Sequence, residues 1–287
     1  GWRVRTTQGD VEGRFVLNAA GLGAQAVHEM AAPRDFLLRP SRGQYYLLDK
    51  SEGDRVGRVI FQCPGPLGKG VLVTPTVHGN LMAGPNAEPV EGDDTATTAA
   101  GLDFVRRTAA RSVPSVAFGA VIRTFAGVRS ATDRGDFIIQ QAVPGFFDLA
   151  GICSPGLTAA PAIAEYAAGL LSDAGLKLEE KPDFVCSRKH IRFKELPPAE
   201  KAALVAAHPA YGRIVCRCET VTEGEILDCF RCPIPPRSLD GVKRRVGAGL
   251  GRCQGGFCGP RVAELLDREL GLGGRKLLQE NAGSWLL

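Results

Sequence analysis

In residues 214–260 the chain reads IVCRCETVTEGEILDCFRCPIPPRSLDGVKRRVGAGLGRCQGGFCGP, a stretch that holds six of the nine cysteines among its 287 residues. Four of them form one pattern, in which Cys216-x-Cys218 is followed after 34 residues by Cys253-x4-Cys258. Thiolates are soft ligands suited to iron–sulfur clusters or zinc. The pattern therefore predicts that these four cysteines bind metal together.

The number of glycines near the second pair of cysteines favours an iron–sulfur cluster over zinc. Six glycines lie between Gly247 and Gly259. Glycine lets backbone N–H groups approach closely, and amides directed at sulfur tune the potential of an iron–sulfur cluster. A structural zinc site has less use for so many glycines.

A rival assignment joins Cys216 and Cys218 to Cys229-x-x-Cys232, as a zinc site or a redox pair. Cys-x-x-Cys is a known metal spacing. However, Cys229 falls inside a predicted helix beside Phe230, and the rival leaves the glycine-rich loop without a role. We therefore predict that the cysteines outside the first pattern are small buried or surface thiols.

The composition limits the class of protein. With 44% apolar and 23% charged residues, the chain is typical of a soluble globular protein, and its length favours two domains. The net charge of +4 is small and scattered, which argues against nucleic acid. Glu165 interrupts the apolar run 159–171, so we expect no transmembrane segment. An odd number of clustered cysteines, with no signal peptide at the start, predicts a cytoplasmic protein, or one peripheral to the inner face of the membrane.

Local patterns predict strands and helices on both sides of the cysteines. The predicted strands are a hairpin around 8–10, a strand within 37–49, a hairpin over 70–84, two strands over 118–139 split at 126–130, and a strand ending at 151. The predicted helices are 95–112, 159–171, 199–207, 223–230 with a capping box, 238–246 and 259–270. The last helix begins beside Cys258, where its dipole should favour thiolate.

Two turns have the form of ligand-binding turns. After a strand, Asn18-Ala-Ala-Gly21 brings small residues to a place where a cofactor can approach; a plain glycine turn is the alternative. The strand ending at Gly151 leads through Ser154-Pro-Gly156 into a helix near Thr158, whose free N–H groups suit an anionic or carbonyl oxygen. Here the alternative is the same strand, turn and helix with no ligand.

Four motifs follow one another along the chain, namely Asn18-Ala-Ala-Gly, Arg42-Gly-Gln, Ala126-Gly-Val-Arg and the run from Gly151 to Pro161. Their order resembles that of the D-amino-acid-oxidase-like family of FAD-dependent oxidoreductases. With the cysteine region, the chain looks like the FAD-dependent glycerol-3-phosphate dehydrogenases that end in a bacterioferritin-associated-ferredoxin-like [2Fe-2S] domain.

The resemblance implies an α+β fold. Residues 1–172 would be the C-terminal part of an FAD and substrate domain with a mixed or antiparallel sheet. A linker with a short helix would follow over 173–212, and residues 213–287 would form a small, mostly helical [2Fe-2S] module.

The resemblance also assigns site residues. FAD would lie against Ala20, Gly21, Gly151, Ser154, Gly156, Leu157 and Thr158, with the N–H groups of Leu157 and Thr158 near a flavin oxygen. Arg129 matches an arginine that in several relatives holds a substrate carboxylate, and a guanidinium fork suits carboxylate or phosphate. The alternative is a structural ion pair between Arg129 and Asp133 or Asp136. Ser130 occupies a position where many relatives have proline.

One departure from the family is large. The family begins with a βαβ unit bearing Gly-x-Gly-x-x-Gly, which holds the FAD pyrophosphate. Gly249-x-Gly251 lies among the cysteines and does not follow a strand, so we reject it as a nucleotide site. The expectation is that the chain is the C-terminal part of a longer enzyme, or is completed by a partner, and alone binds FAD weakly.

Two functions follow from these patterns. The first is an FAD-dependent dehydrogenase of a small anionic hydroxy acid or polyol phosphate, which passes electrons through a [2Fe-2S] cluster to an acceptor protein or quinone-linked subunit. The second is a non-catalytic fragment or subunit that serves as an iron–sulfur electron-transfer or binding module.

Overall fold

The computed structural model of the protein describes residues 1–63, 65, 70–187, 190–274 and 276–286. The chain separates between Pro182 and Asp183 into two compact units. The segment predicted as a linker, 173–212, is thus divided between the units, and the domain limits 172 and 212 stay a proposal. The α+β class is confirmed. Among the described residues, no helix has both the length and the apolarity needed to cross a membrane.

The first unit contains ten strands and three α-helices in its described part. The strands are β1 (Trp2–Thr6), β2 (Gly9–Gly13), β3 (Val16–Asn18), β4 (Ser41–Leu48), β5 (Leu72–Pro75), β6 (Leu81–Gly84), β7 (Glu88–Pro89), β8 (Val121–Arg129), β9 (Ile138–Val143) and β10 (Phe146–Ala150). The helices are α1 (Ala24–Glu29), α2 (Ala99–Ser112) and α3 (Gly156–Asp173).

These strands form three separate sheets. β1 and β2 form the predicted hairpin. β10 pairs in parallel with β3 and antiparallel with β9. The largest sheet has the order β5-β6-β4-β7, with β8 also paired to β4. It is antiparallel throughout.

The prediction of a break at 126–130 is wrong, because β8 runs through it to Arg129. Gly127 pairs with Gly43 of β4, and this ladder keeps the glycine-containing segment extended. The chain leaves the sheet only after Arg129.

Helix α2 covers one face of the largest sheet. Leu48, Val73 and Leu81 are fully buried with Val105 and Ala109 of α2. Because strand side chains alternate between faces, the residues between these core positions lie on the other face. Gly43, Tyr45 and their β8 neighbours Phe125 and Arg129 therefore share the face away from α2.

The second unit is built from small helices around the cysteines. Its elements are α4 (Pro198–Ala207), β11 (Ile214–Cys216), β12 (Val221–Thr222), α5 (Glu223–Phe230), α6 (Leu239–Val246) and α7 (Gly259–Leu270). Ile226, Val242 and Leu265 are fully buried in its core, together with Cys216 and Cys258. The four predicted helices are present, whereas the short antiparallel pair β11–β12 was not predicted from the sequence.

The capping box of α5 gives a first prediction. Thr222 Oγ1 accepts from the Glu225 N–H at 3.2 Å, and Glu225 Oε2 accepts from the Thr222 N–H at 2.8 Å. Because Thr222 is fully buried, Thr222→Ala leaves the Glu225 N–H without a cap and should cost about 1–2 kcal/mol. Faster amide hydrogen exchange in α5 would report the loss. Exposed Thr95→Ala is the control, and equal exchange in both variants would contradict the prediction.

Candidate cofactor sites

The four predicted ligand cysteines come together in the second unit as two pairs. Cys218 Sγ lies 3.6 Å from Cys253 Sγ, and the side chains of Cys216 and Cys258 are in hydrogen-bond contact. Two thiolates on one tetrahedral metal, with metal–sulfur bonds of about 2.3 Å, lie about 3.7 Å apart. The measured Sγ–Sγ distance therefore fits two ligands of one metal. In the described ranges, no three His, Cys, Asp or Glu side chains form a ready-made metal site.

The loops that carry these thiols have unusual backbone conformations. Thr220, two residues after Cys218, has φ 54°, and Gln254, next to Cys253, has φ 48°. Few residues other than glycine adopt a positive φ, and such residues cluster at functional sites. The backbone here is shaped to present the cysteines.

Glycine lets the two loops approach each other. A Cβ on Gly251 would lie 2.2 Å from Cys218 Cβ, so only glycine fits beside that ligand. The N–H groups of Phe257, Gly255 and Gly256 are directed at Cys253. The glycines thus allow the close approach of amide groups to sulfur that the sequence predicts.

The thiols differ in acidity. Hydrogen bonds from the Phe257 N–H and its neighbours lower the pKa of Cys253. The N–H of Cys253 lowers the pKa of Cys218, but burial and the adjacent thiols outweigh it and raise that pKa. Burial raises the pKa of Cys258 to about 12. Any effect of the α7 dipole that favours thiolate at Cys258 is thus smaller than the opposing effect of burial, since Cys258 is only 2% exposed.

Cys229 and Cys232 make other contacts. Cys229 Sγ donates to Ile226 O at 2.9 Å, and Cys232 Sγ lies 2.9–3.0 Å from the carbonyl oxygens of Ile234 and Cys229. Burial raises the pKa of Cys229 to about 12. These contacts suit structural thiols. Cys63 and Cys186 are free and exposed, as expected for surface thiols.

The turn after β3 is held by a buried side chain. Asn18 is 2% exposed, and its Nδ2 donates to Ala24 O at 2.8 Å while its Oδ1 accepts from the Ala20 N–H at 3.3 Å. Gly21 has φ 57°, a conformation that glycine adopts without strain. Ala20 and Gly21 are both exposed. The turn thus exposes the backbone of Ala20 and Gly21 and is held in place by the hydrogen bonds of buried Asn18.

The second predicted turn leads into α3. Gly151 has φ 67°, and a Cβ there would lie 2.7 Å from Thr132 Cγ2. Ser154 is exposed and Gly156 is buried at the start of the helix. Leu157 is 92% exposed, an unusual position for leucine that leaves this end of α3 open to a ligand.

Only one of the two predicted N–H donors is available. The Thr158 N–H donates to Pro155 O at 3.1 Å, so it is already used. In the part of the chain that the structure describes, the Leu157 N–H makes no hydrogen bond. Leu157 is therefore the donor that α3 offers to a cofactor oxygen.

Arg129 lies on the face of the sheet away from α2. Its Nη2 donates to Asn86 O at 3.3 Å, and a Cβ on Gly43 would lie 2.5 Å from the same atom. Tyr45 and Phe125 lie on the same face of the sheet and stack on each other with ring centroids 4.9 Å apart. Arg129 makes no ion pair with any described residue, so the alternative of pairing with Asp133 or Asp136 is not what the structure contains.

Sequence reasoning missed a buried pair, His28 and Asp148. His28 is 2% exposed, and its Nδ1 lies 2.7 Å from Asp148 Oδ2. The signal was present in Phe146-Phe-Asp148-Leu-Ala150, because a carboxylate in an apolar buried strand needs a partner.

A model of the FAD dependent oxidoreductase family matches residues 1–170. The chain belongs to the FAD dependent oxidoreductase family. A model of the BFD-like [2Fe-2S] binding domain matches residues 214–268, which include all four paired cysteines. The family resemblance and the cofactor prediction, FAD and a [2Fe-2S] cluster, are thus confirmed at the level of the two families.

Relatives of this FAD dependent oxidoreductase extend over both units. A glycerol 3-phosphate dehydrogenase from Caloramator mitchellensis is 48% identical over 292 residues, covering 100% of this chain and 61% of that protein. One subunit of the anaerobic glycerol-3-phosphate dehydrogenase of Escherichia coli K12 is 28% identical over 294 residues, covering 88% of this chain and 52% of that protein. The chain therefore spans between half and two thirds of the length of these relatives.

A solved structure resembles part of the chain. It is the dithionite-reduced L-α-glycerophosphate oxidase of Mycoplasma pneumoniae with FAD bound, 33% identical, with a TM-score of 0.51 over 59% of this chain and 44% of that chain. The likeness supports the flavoprotein fold of this FAD dependent oxidoreductase.

Proposed function

We propose that the protein is an FAD-dependent dehydrogenase of the glycerol 3-phosphate type, which passes electrons from a small anionic substrate through FAD to a [2Fe-2S] cluster. The observation that carries the proposal is the combination of two modules in one chain. Residues 1–170 belong to an FAD-dependent family, and four thiols in two pairs lie within 214–268.

The cysteine unit favours a dehydrogenase over an oxidase. The two dehydrogenase relatives cover 100% and 88% of the chain, whereas the oxidase structure covers 59%. An iron–sulfur cluster carries one electron at a time, which suits transfer to a carrier rather than direct reduction of O₂.

The exposed turns fit a flavin. When bound, FAD would supply hydride acceptance. Ala20 and Gly21 would lie along it, and Gly151, Ser154 and Gly156 would shape the second turn. The free Leu157 N–H would donate to a flavin oxygen and stabilise negative charge there. Thr158 would act by fixing Pro155 O through its N–H rather than by touching the flavin.

The thiol pairs fit a cluster that holds two metals. Cys218 with Cys253 and Cys216 with Cys258 would each bind one iron, and the cluster would supply one-electron transfer. The amides at Cys253 would stabilise negative charge on its sulfur. Arg129 would bind the anionic group of the substrate, since its guanidinium lies on the face of the sheet away from α2 without an ion-pair partner in the described chain.

We further propose a cytoplasmic location, or a peripheral one at the inner face of the membrane, and an acceptor that is a protein or a quinone-linked subunit. Nine free cysteines fit a reducing compartment. The Escherichia coli relative is named as one subunit of its dehydrogenase, so we expect this protein to act with a partner.

The test uses protein with FAD in excess and a reconstituted cluster, kept anaerobic. Glycerol 3-phosphate should bleach the flavin absorbance, and a slower change in the cluster spectrum should follow. Glycerol, which lacks the phosphate, is the control. Bleaching by both compounds, or by neither, would contradict the proposed substrate class.

FAD affinity gives a separate prediction. Across the described residues there is no glycine-rich βαβ unit to hold a pyrophosphate. We therefore expect the 287 residues alone to retain FAD weakly in equilibrium dialysis, and the same chain preceded by such a unit to retain it tightly. Tight binding by the chain alone would show that the exposed turns suffice.

A further inference from the structure

His28 is buried among hydrogen-bond acceptors. It is 2% exposed, and its ring packs at 5.1 Å against Phe36. Nδ1 lies 2.7 Å from Asp148 Oδ2, and Nε2 lies 2.9 Å from Pro33 O. Both ring nitrogens therefore face oxygen.

The acceptors decide the protonation of the ring. Pro33 O is a carbonyl oxygen and can only accept, so Nε2 must carry a proton. Asp148 is fully buried, and its other oxygen already accepts from Asn18 Nδ2 at 2.8 Å. A carboxylate in that position needs a compensating charge, and among the described residues the doubly protonated ring of His28 supplies it through Nδ1–H.

Asp148 connects the two turns proposed to face FAD. On one side it orients the amide of Asn18, which in turn holds the Ala20 N–H and Ala24 O. On the other side it sits in β10, three residues before Gly151. One buried carboxylate thus anchors both segments.

We propose that His28 is a buried imidazolium that fixes Asp148 and, through Asn18, holds the Ala20–Gly21 turn in the shape that receives the cofactor. His28 is a positioning residue in this role, because it touches neither flavin nor substrate. The contact between this turn and FAD rests on the function proposed above. The charge of His28 does not, so it is tested separately.

The charges around His28 set the direction of the pH dependence. Burial lowers the pKa of His28, but the hydrogen bonds to Pro33 O and Asp148, together with the charges of Asp148 and Asp35, outweigh burial and raise it. Glu29 of the same helix is a further nearby carboxylate, and it pairs with Arg34. Asp35 pairs with Arg134.

A raised pKa means that folding favours the protonated ring. The stabilisation is therefore complete below the ordinary histidine pKa of about 6.5, and is lost as the pH rises through the higher pKa of the folded protein. The FAD affinity that depends on the turn should fall over the same range.

The first experiment is ¹⁵N NMR of the histidine rings in the full chain. At pH 6, below the ordinary histidine pKa of about 6.5, we expect protons on both nitrogens of His28. A neutral His28 ring at pH 6 would overturn the proposal, whatever the protein does with FAD.

The second experiment measures FAD affinity between pH 6 and pH 9. By analogy with groups that orient a direct ligand, we expect wild type to lose about tenfold as His28 deprotonates, and His28→Gln to bind about tenfold more weakly at pH 6 with a flat profile. His208→Gln should follow wild type. A parallel pH dependence in His28→Gln would overturn the proposal. If the chain preceded by a glycine-rich βαβ unit binds no FAD at any pH, the proposed function is overturned instead.

The double variant His28→Gln/Asp148→Asn separates charge from packing. It removes both charges, so it should be more stable than the sum of the single variants predicts. Additive losses in melting temperature would mean that His28 only fills space.

Discussion

Replacing Cys253 with serine should abolish or disrupt the cluster. Cys253 lies against Cys218 and receives three backbone N–H groups, so it combines a ligand position with the charge-stabilising amides of the site. A serine hydroxyl is a harder and less acidic ligand than a thiol, and it is a poor substitute on iron. Anaerobically purified wild type should contain two irons and two acid-labile sulfides, as in a [2Fe-2S] cluster. The same loss is expected for Cys216→Ser, Cys218→Ser and Cys258→Ser.

Cys229→Ser is the matched control. Cys229 lies in the same buried core, but its Sγ donates to Ile226 O, a bond that a serine hydroxyl retains. This variant and Cys232→Ser should keep iron and sulfide. Stoichiometric zinc without iron, after anaerobic reconstitution with iron and sulfide, would show that the four cysteines form a zinc site instead.

Gly251→Ala tests the shape of the site without removing a ligand. The added methyl group would meet Cys218 Cβ at 2.2 Å and Cys218 Sγ at 3.3 Å, so the Cys218 side chain must shift from its position in the site. We expect a lower cluster content than in wild type, with all four cysteines present.

The sequence predicted the elements that depend on local patterns. The helix starts at Thr222 and Ser238 carry side chains that cap the first turn, and both helices begin where those residues predicted. The hairpin turns around 8–10 and 78–80 are likewise local, because Gly9 and Gly79 supply the positive φ that each turn requires.

Features that depend on tertiary contacts were beyond the sequence. The spacing identified four ligand candidates but not that Cys218 faces Cys253 and Cys216 faces Cys258, since that depends on how β11 and α7 pack. Helix position predicted an acidic Cys258, whereas burial in the core has the opposite and larger effect. His28 and Asp148 are 120 residues apart, so no local pattern joins them.

Replacing Arg129 with methionine should reduce kcat/KM on an anionic substrate by about 30-fold to a few thousandfold. Truncating one partner of a desolvated charge pair costs about 2–5 kcal/mol, and 1.4 kcal/mol corresponds to a factor of ten. The structure supports this role because Arg129 donates only to the carbonyl oxygen of Asn86 among the described residues, which leaves its charge available. Arg129→Lys keeps the charge but loses the two-pronged guanidinium, so it should be only partly tolerated.

The measurement compares wild type, Arg129→Lys and Arg129→Met with glycerol 3-phosphate, using protein loaded with FAD. Arg123→Met is the matched control, since Arg123 is exposed on the same strand six residues earlier and its loss should change kcat/KM little. Gly43→Ala approaches the same question from the neighbouring strand. Its new methyl group would lie 2.5 Å from Arg129 Nη2, so the guanidinium must shift and kcat/KM should fall with Arg129 intact. If Arg129→Met stays within a few-fold of wild type and instead lowers the melting temperature, Arg129 supports the sheet and a different residue binds the substrate anion.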